Sequence, residues 1–222
     1  MGKVIDQSIK ERIVKVAHRM DEKGLVNAYE GNISVRSDGL LYITPSGQNK
    51  AWLTTEKIAV IDLATREQID GTLKYSSELP MHIAAYDKRK AGGIGGVIHC
   101  HATYLTAYAV CRKPLECRYY PEHVIAFDKI PVAPYGTPGT DEIHEGIGDL
   151  FETSDIVLLA NHGILAVGPT VEDALATVEA AEHSAQLYAT CKMVGSPVDI
   201  TGGQYETLVR MHAERVAKAR GK

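Results

Sequence analysis

Hydrophobic positions along the chain recur at two spacings, which predict helices and strands in turn. Apolar residues every three to four positions between Ser8 and Lys23 predict a helix with one buried face, and Gly24 is suited to end it. Similar spacing predicts helices over residues 78–88, 170–193 and about 204–219. At the start of the helix predicted over residues 170–193, Thr170 and Asp173 resemble a capping box.

Short apolar runs predict the strands. The segments NISVR and LLYIT flank Ser37-Asp38-Gly39, which is typical of a hairpin turn. Further runs in VIHC, IPVAP, IVLLA and ILAV predict strands that are buried on both faces. Helices and strands interleave without a low-complexity linker or an internal repeat, so we expect one α/β domain over residues 1–222. The hairpin argues against a purely parallel sheet.

The composition mainly argues against certain classes of partner and location. The 222 residues include 24 Lys and Arg against 28 Asp and Glu, a formal net charge of −4, which argues against a nucleic-acid partner. The N-terminus does not resemble a signal peptide, and no apolar stretch reaches the roughly 18 residues of a spanning helix, so we expect no membrane association. The four cysteines form no CxxC pair, which favours a cytoplasmic protein.

Three of the nine histidines stand at the ends of predicted strands. His99 and His101 flank Cys100 in VIHCH, and residues two apart in an extended segment project from the same face. His162 follows IVLLA and precedes Gly163, which we expect to permit a tight turn. Three imidazoles from two strand ends are typical of an open metal site that keeps one position for water or substrate.

The other histidines carry weaker signals. His82 lies one helical turn after Glu78, so it either lies beside the proposed site or packs in the core. His123 is a candidate for the mouth of a pocket. Four histidines stand among charged residues on predicted helices, where we expect them to be solvated: His18, His144, His183 and His212.

Small and hydroxylated residues gather at three element boundaries, in GNIS, TPSG and SSE. Backbone N–H groups and hydroxyls at such turns suit a phosphate dianion, although turns use the same residues without any ligand. Glu78 begins a predicted helix, where a carboxylate is stabilising in any case, and it could also serve as a metal ligand or a proton-transfer base. Nothing in the sequence alone brings Glu78 to His99.

Six motifs occur in a fixed order over about residues 8–195: GNIS, TPSG, SSELPMH, VIHCHATY, APYGTPGT and NHGILAVG. In this combination the chain resembles the class II aldolase and adducin family, and within it the aldolases of the fuculose-1-phosphate type. The resemblance implies a single three-layer α/β/α domain with a central, mostly antiparallel or mixed β-sheet. It also implies a homotetramer with active sites at subunit interfaces.

The resemblance assigns roles to particular residues. His99, His101 and His162 are implied to bind one Zn²⁺ per subunit, a set that would also accept another divalent metal. Glu78 matches the acid/base glutamate that can also ligate the metal, and Tyr120 matches a catalytic tyrosine. The positions matched to phosphate or substrate binding are Gly31, Asn32, Ser46, Gly47, Ser76 and Ser77.

The implied reaction is the reversible cleavage of a ketose 1-phosphate, similar to L-fuculose 1-phosphate. The products are dihydroxyacetone phosphate and a small aldehyde, formed through a metal-stabilised enediolate. A dehydratase or decarboxylase stays open because both use the same three histidines, whereas a 4-epimerase is disfavoured because such sequences carry Asp where Glu78 stands. An adducin-like binding module without catalysis is the alternative of a different class, and it predicts lost ligands that are in fact all present.

Overall fold

The computed structural model describes residues 3–88, 93–137, 140, 142 and 146–221. Its helices are α1 (Gln7–Glu22), α2 (Leu79–Lys88), α3 (Thr103–Val110), α4 (Pro121–Phe127), α5 (Ile147–Leu150), α6 (Val171–Val194) and α7 (Gly202–Ala219). Its strands are β1 (Asn32–Ser37), β2 (Leu40–Ile43), β3 (Ala59–Asp62), β4 (Gln68–Asp70), β5 (Gly96–Cys100), β6 (Leu115–Glu116), β7 (Lys129–Ile130), β8 (Val132–Ala133), β9 (Ile156–Leu159) and β10 (Gly163–Gly168). Over these ranges, no helix has both the length and the apolar character needed to cross a membrane.

Eight of the described strands form one sheet in the order β4-β3-β2-β1-β5-β10-β9-β8. Neighbours in this sheet are antiparallel except β8 and β9, which are parallel. The remaining strands, β6 and β7, pair as a separate antiparallel ribbon. The central sheet is therefore mixed and mostly antiparallel, which confirms the expected fold class.

Helices cover both faces of this sheet. Helices α1, α3 and α6 pack on one face, where the core contains Ile33, Ile98 and Ile164. Helices α2 and α5 pack on the opposite face, against Val97 and Leu165. A strand that is buried on both faces has a continuous apolar sequence rather than an alternating one. This explains the apolar character of VIHC, IVLLA and ILAV. The three-layer α/β/α arrangement is confirmed.

Two local predictions hold in detail. Asp38 and Gly39 have positive φ angles of 49° and 73°, and they join β1 to β2 as the two-residue turn that the right-handed strand twist favours. At the start of α6, the Thr170 hydroxyl accepts the backbone N–H of Asp173 at 3.1 Å and donates to its carboxylate at 2.7 Å. Both features depend on neighbouring residues only, which is why the sequence predicts them.

Several elements have no clear sequence signal, and α3 shows why. Its local cap residue, Ala102, offers no side-chain acceptor to the helix N-terminus. The carboxylate of Glu182 on α6 accepts the N–H groups of Tyr104 and Leu105 instead, each at 2.9 Å. This cap comes from a distant part of the chain, so a local pattern does not reveal it. The segment IPVAP does not form one continuous strand, because Pro131 separates β7 from β8.

The histidines outside the strand ends follow their predictions only in part. His183 is exposed, as expected, and His144 lies outside the described residues. His18 and His212 are half-buried, and a ring nitrogen of each bonds a backbone carbonyl at 3.0 and 3.1 Å respectively. His123 is fully buried rather than at a pocket mouth.

Candidate metal centre

The three strand-end histidines meet at one end of the central sheet. Strand β5 lies between β1 and β10, so His99 stands opposite Asn32 on one side and Leu165 on the other. His101 follows the end of β5, and His162 lies in the turn between β9 and β10. Their ring centroids are 4.7 to 4.9 Å apart, and one nitrogen from each ring lies within 4.8 Å of the other two. The sequence prediction that these rings converge is therefore met.

The spacing of the ring nitrogens suits one small cation. The Nε2 atoms of His99 and His101 are 3.1 Å apart. Two ligands of a tetrahedral zinc ion lie about 3.3 Å apart when each bond is about 2.0–2.1 Å. The cluster can therefore hold a metal, although imidazole nitrogen is an acceptable ligand for several divalent ions.

Hydrogen bonds on the far side of two rings fix their orientation. His99 donates from Nδ1 to the Ile164 carbonyl at 2.8 Å, and Nδ1 of His101 lies 3.1 Å from the Glu30 carboxylate. Each contact leaves Nε2 to face the centre, as is usual for metal-binding histidines. In the described part of the chain, the buried Nδ1 atom of His162 has no hydrogen-bond partner.

The environment favours neutral rings. Burial lowers the pKa of His99 well below its usual value, and the neighbouring histidines lower it further. Burial also lowers the pKa of His162, against the opposing attraction of Glu78. Neutral imidazoles keep the lone pair that a metal needs, so the electrostatics of the cluster agree with its geometry.

Glu78 reaches this centre through the tertiary structure. One carboxylate oxygen lies 3.4 Å from Nε2 of His162, and the other lies 3.5 Å from Nε2 of His99. The Asn32 side chain donates to that second oxygen at 2.6 Å. The carboxylate can therefore act as a fourth ligand or as a proton acceptor for a bound molecule.

Gly163 is needed for a different reason from the expected one. The turn before β10 takes its positive φ, 58°, at Asn161, so Gly163 does not supply the tight backbone conformation. A Cβ at Gly163 would lie 2.5 Å from Cδ2 of His101 and 2.6 Å from the Cys100 carbonyl oxygen. The absence of a side chain therefore makes room for the His101 ring, which corrects the prediction.

A cavity of about 220 Å³ opens beside the histidines. His101, Glu30 and Glu78 line it at the metal centre. All six positions matched to phosphate or substrate binding also line it: Gly31, Asn32, Ser46, Gly47, Ser76 and Ser77. The structure therefore brings these three separate turns to one site.

Two of these turns hold each other in place. The Ser76 N–H donates to the Thr44 carbonyl at 3.2 Å, and the Ser77 N–H donates to the Ser46 hydroxyl at 3.1 Å. Gly47 has a φ of 64° and no atom within 4 Å of the Cβ position, so the backbone there is open to the cavity. This arrangement leaves exposed backbone and hydroxyl groups beside the metal centre, which is what an anionic group requires.

Tyr120 is not brought to the histidines within one chain. It precedes α4 and lines a different cavity of about 380 Å³. The ring of His183, 6.1 Å away between centroids, also lines that cavity, and none of the three clustered histidines does.

Two charged residues at the site were missed by the sequence reasoning. Glu30 contacts His101, and its only sequence signal is its position next to the GNIS turn. Lys50 is 1% exposed and donates to the Gln48 carbonyl at 2.9 Å. Burial lowers the pKa of Lys50 to about 8, opposed by the attraction of Glu78. The contact of Glu30 with His101 and the proximity of Lys50 to Glu78 both depend on how distant segments pack, so no local pattern indicates them.

Comparison with known proteins identifies the family. The model of the class II aldolase and adducin N-terminal domain matches residues 11–189. L-fuculose phosphate aldolase of Methanococcus vannielii is 36% identical over 177 residues, which cover 80% of this chain and 93% of the relative. The 3-oxo-tetronate 4-phosphate decarboxylase of Haemophilus influenzae is 32% identical over 191 residues, covering 83% and 89% respectively.

A solved structure of L-fuculose 1-phosphate aldolase has the same fold. Its TM-score is 0.82 at 32% sequence identity, and the match covers 93% of this chain and 96% of that one. Aldolases of this class are metal-dependent, in agreement with the histidine cluster. The chain therefore belongs to the class II aldolase and adducin family.

Proposed function

We propose that this protein is a zinc-dependent aldolase that reversibly cleaves a ketose 1-phosphate into dihydroxyacetone phosphate and a small aldehyde. The observation that carries the proposal is the single cavity in which His101 and Glu78 meet six residues suited to a phosphate. The similarity to L-fuculose phosphate aldolase of Methanococcus vannielii supports a ketose 1-phosphate as the substrate class.

His99, His101 and His162 would hold the zinc ion, with Glu78 as a fourth ligand when no substrate is present. When bound there, zinc supplies a Lewis acid that stabilises negative charge on substrate oxygen atoms while the C–C bond breaks. The Asn32 amide keeps the Glu78 carboxylate directed at the same region.

Glu78 would transfer a proton to and from a carbon atom of the substrate. In the condensation direction, its carboxylate removes a proton from the carbon of dihydroxyacetone phosphate that becomes the nucleophile. In the cleavage direction, it returns that proton to the same carbon after the C–C bond has broken. Removal of the proton needs a carboxylate lone pair that faces the bound molecule, and the hydrogen bond from the Asn32 amide to one oxygen of Glu78 leaves the other oxygen without that donor.

The turns that line the cavity would bind the phosphate. Gly31 and Gly47 offer backbone N–H groups there, and Ser46, Ser76 and Ser77 offer hydroxyl groups. Binding energy from this group, remote from the reacting carbons, orients the carbons for the reaction.

We also propose a cytoplasmic homotetramer with active sites at subunit interfaces. Tyr120 would then protonate the aldehyde oxygen during condensation from the partner subunit, because its own cavity is separate from its own histidines. A mixture of Glu78→Gln and Tyr120→Phe subunits should regain activity that neither variant has alone. Mixed tetramers without activity would contradict the shared site, whereas sedimentation tests the oligomeric state by itself.

The main experiment is a substrate panel. Purified zinc-loaded protein is mixed with ketose 1-phosphates, and dihydroxyacetone phosphate is measured by coupled reduction with NADH. We expect release of this product, its loss after chelation and its return with zinc. Fully loaded protein that releases none from any ketose 1-phosphate would refute the proposal.

A decarboxylase is the second candidate, supported by the Haemophilus influenzae relative. The same panel, extended to 3-oxo acid phosphates and scored for carbon dioxide, separates it from an aldolase. A non-catalytic module predicts neither product and no bound metal.

A further inference from the structure

A line of buried polar side chains runs from the metal centre into the core between α2 and β1. Glu78, His82 and Tyr86 lie four residues apart along one side of α2, which begins directly after Glu78. Asn32 and Ser34 lie two residues apart on β1 and project from the same face of the strand. The helical and strand residues interleave into one hydrogen-bonded series.

Each link of this series is a direct contact. Asn32 donates to Glu78 at 2.6 Å, and its other amide atom bonds Nε2 of His82. Nδ1 of His82 lies 2.7 Å from the Ser34 hydroxyl, which lies 3.0 Å from the Tyr86 hydroxyl. Between Asn32 and Tyr86 every member is at most 4% exposed, so water does not replace these bonds.

The chemistry of the end group sets the direction of every bond. An ionised carboxylate accepts only, so Asn32 must donate its NH₂ group to Glu78 and present its oxygen to His82. His82 must then carry its proton on Nε2 and accept at Nδ1. Ser34 therefore donates to His82 and accepts from the phenol of Tyr86. All donors point towards Glu78, and bonds aligned in this way reinforce one another.

The burial of the series agrees with this assignment. Burial lowers the pKa of His82 to about 3, so the ring is neutral at neutral pH and has one donor and one acceptor. Burial also raises the pKa of Tyr86, so its hydroxyl keeps the proton that it donates.

We propose that His82 is a positioning residue, whose Nε2–H group holds the Asn32 amide in the one orientation that donates to Glu78. The inference rests on the proposed function, because it assigns a purpose to the orientation of the proposed acid/base. His82 itself touches neither metal nor substrate in this assignment. It acts through Asn32 alone.

Two substitutions at His82 separate positioning from packing. In His82→Gln the side-chain amide can reach the place of Nε2 and still donate to Asn32, whereas in His82→Asn it reaches only the place of Nδ1. Both replacements are polar and smaller than histidine, so a role in packing alone predicts similar losses. We expect His82→Gln to keep kcat within a few-fold of the unchanged protein, and His82→Asn to lose roughly 10- to 100-fold in kcat with little change in KM.

The comparison of kcat between the two His82 variants tests the positioning role. Equal kcat values for the two variants at equal zinc content and equal urea midpoints would overturn it, as would a Gln variant slower than the Asn variant. If the unchanged zinc-loaded protein shows no aldolase activity, the proposed function fails, and the positioning role is then decided by the following measurement.

The tautomer of His82 gives a readout that does not depend on activity. In unaltered, zinc-loaded protein labelled with ¹⁵N-histidine, we expect the His82 ring at pH 7 to show a proton on Nε2 and none on Nδ1, assigned by loss of its signals in His82→Gln. A ring protonated on Nδ1, or on both nitrogens, would overturn the direction of the series even if both variants fail to fold.

Discussion

On β1, Ile33 and Val35 belong to the core under α1 and α6, whereas Asn32 and Ser34, which alternate with them, both bond His82 of α2. On β5, Ile98 lies in the same core and the next residue, His99, faces the metal centre. The pleat of a strand sends successive side chains to opposite faces. At these positions one face of the strands, the apolar face, carries only core residues. The opposite face, here called the polar face, carries the residues of the site beside apolar residues such as Val97.

This comparison has a practical consequence. A substitution on the apolar face should lower the stability of the fold and leave metal binding intact in the molecules that stay folded. A substitution on the polar face should change metal binding or turnover more than stability. Four of the following five substitutions test that division, and the third, at His123 on α4, tests the acid stability of the rest of the molecule. They follow in descending order of the expected effect.

Glu78→Gln is the largest change on the polar face. We expect kcat to fall by roughly 10²- to 10⁴-fold, because the amide cannot accept the proton from carbon. Zinc content, measured by elemental analysis, and the urea midpoint should stay as in the unchanged protein, since the replacement is nearly isosteric. A zinc-loaded Gln variant with normal turnover would remove Glu78 from the mechanism.

Ile98→Ala is the counterpart on the apolar face of β5. Ile98 is fully buried, and removing so much side chain from a packed core costs about 2–5 kcal/mol of unfolding free energy, measured by urea titration. Activity per folded molecule should not change. Loss of zinc under conditions where the variant is still folded would show that the two faces are not independent.

His123→Leu tests whether acid instability arises outside the metal centre. Burial lowers the pKa of His123 to about 4, an effect partly offset by the nearby Leu115 backbone, whereas an unfolded histidine titrates near about 6.5. The unfolded state therefore binds the proton first, and the folded state loses stability as pH falls from about 6.5 to about 4.

Between pH 7 and pH 5, the Leu variant should lose about 2 kcal/mol less unfolding free energy than the unchanged protein. Urea titrations at the two pH values measure the difference. An identical pH dependence in both proteins would mean that His123 contributes nothing to acid sensitivity, which the site histidines would then have to explain.

Gly163→Ala should disturb the polar face by steric contact alone. The new Cβ would lie 2.5 Å from the His101 ring, so we expect zinc affinity to fall roughly tenfold or more, measured by competition with a chelator. Gly203→Ala is the matched control, since no atom lies within 4 Å of a Cβ at that position. Equal zinc affinity in both variants would contradict the contact.

Cys100→Ala should have the smallest effect, and it tests the separation of the two faces at the point where they are closest in sequence. Cys100 stands between two proposed ligands, yet it belongs to the apolar core, and burial raises the pKa of its thiol to about 12. We expect zinc affinity to stay unchanged and unfolding free energy to fall by about 1 kcal/mol. A clear loss of zinc would mean that the faces are not separated at this point.

The residues that the sequence predicts well are those whose signal is local. The hairpin at Asp38-Gly39, the Thr170 cap and the strand-end histidines each depend on side chains close in sequence. The contacts that it missed are made between distant segments. Glu182 caps α3 from α6, and Glu30 contacts a histidine beyond the end of β5.

The sequence by itself determined which residues point to which face and which side chains have the chemistry for a metal or a phosphate, because periodicity and residue type are properties of a local segment. The tertiary structure alone decided that β5 lies between β1 and β10, and this order brings His99 beside Asn32 and, through it, Glu78. Strand order depends on the summed packing of the whole sheet against its two helical layers. No single segment contains that information, so the contact of Glu78 with His99 and His162 is decided by the tertiary structure.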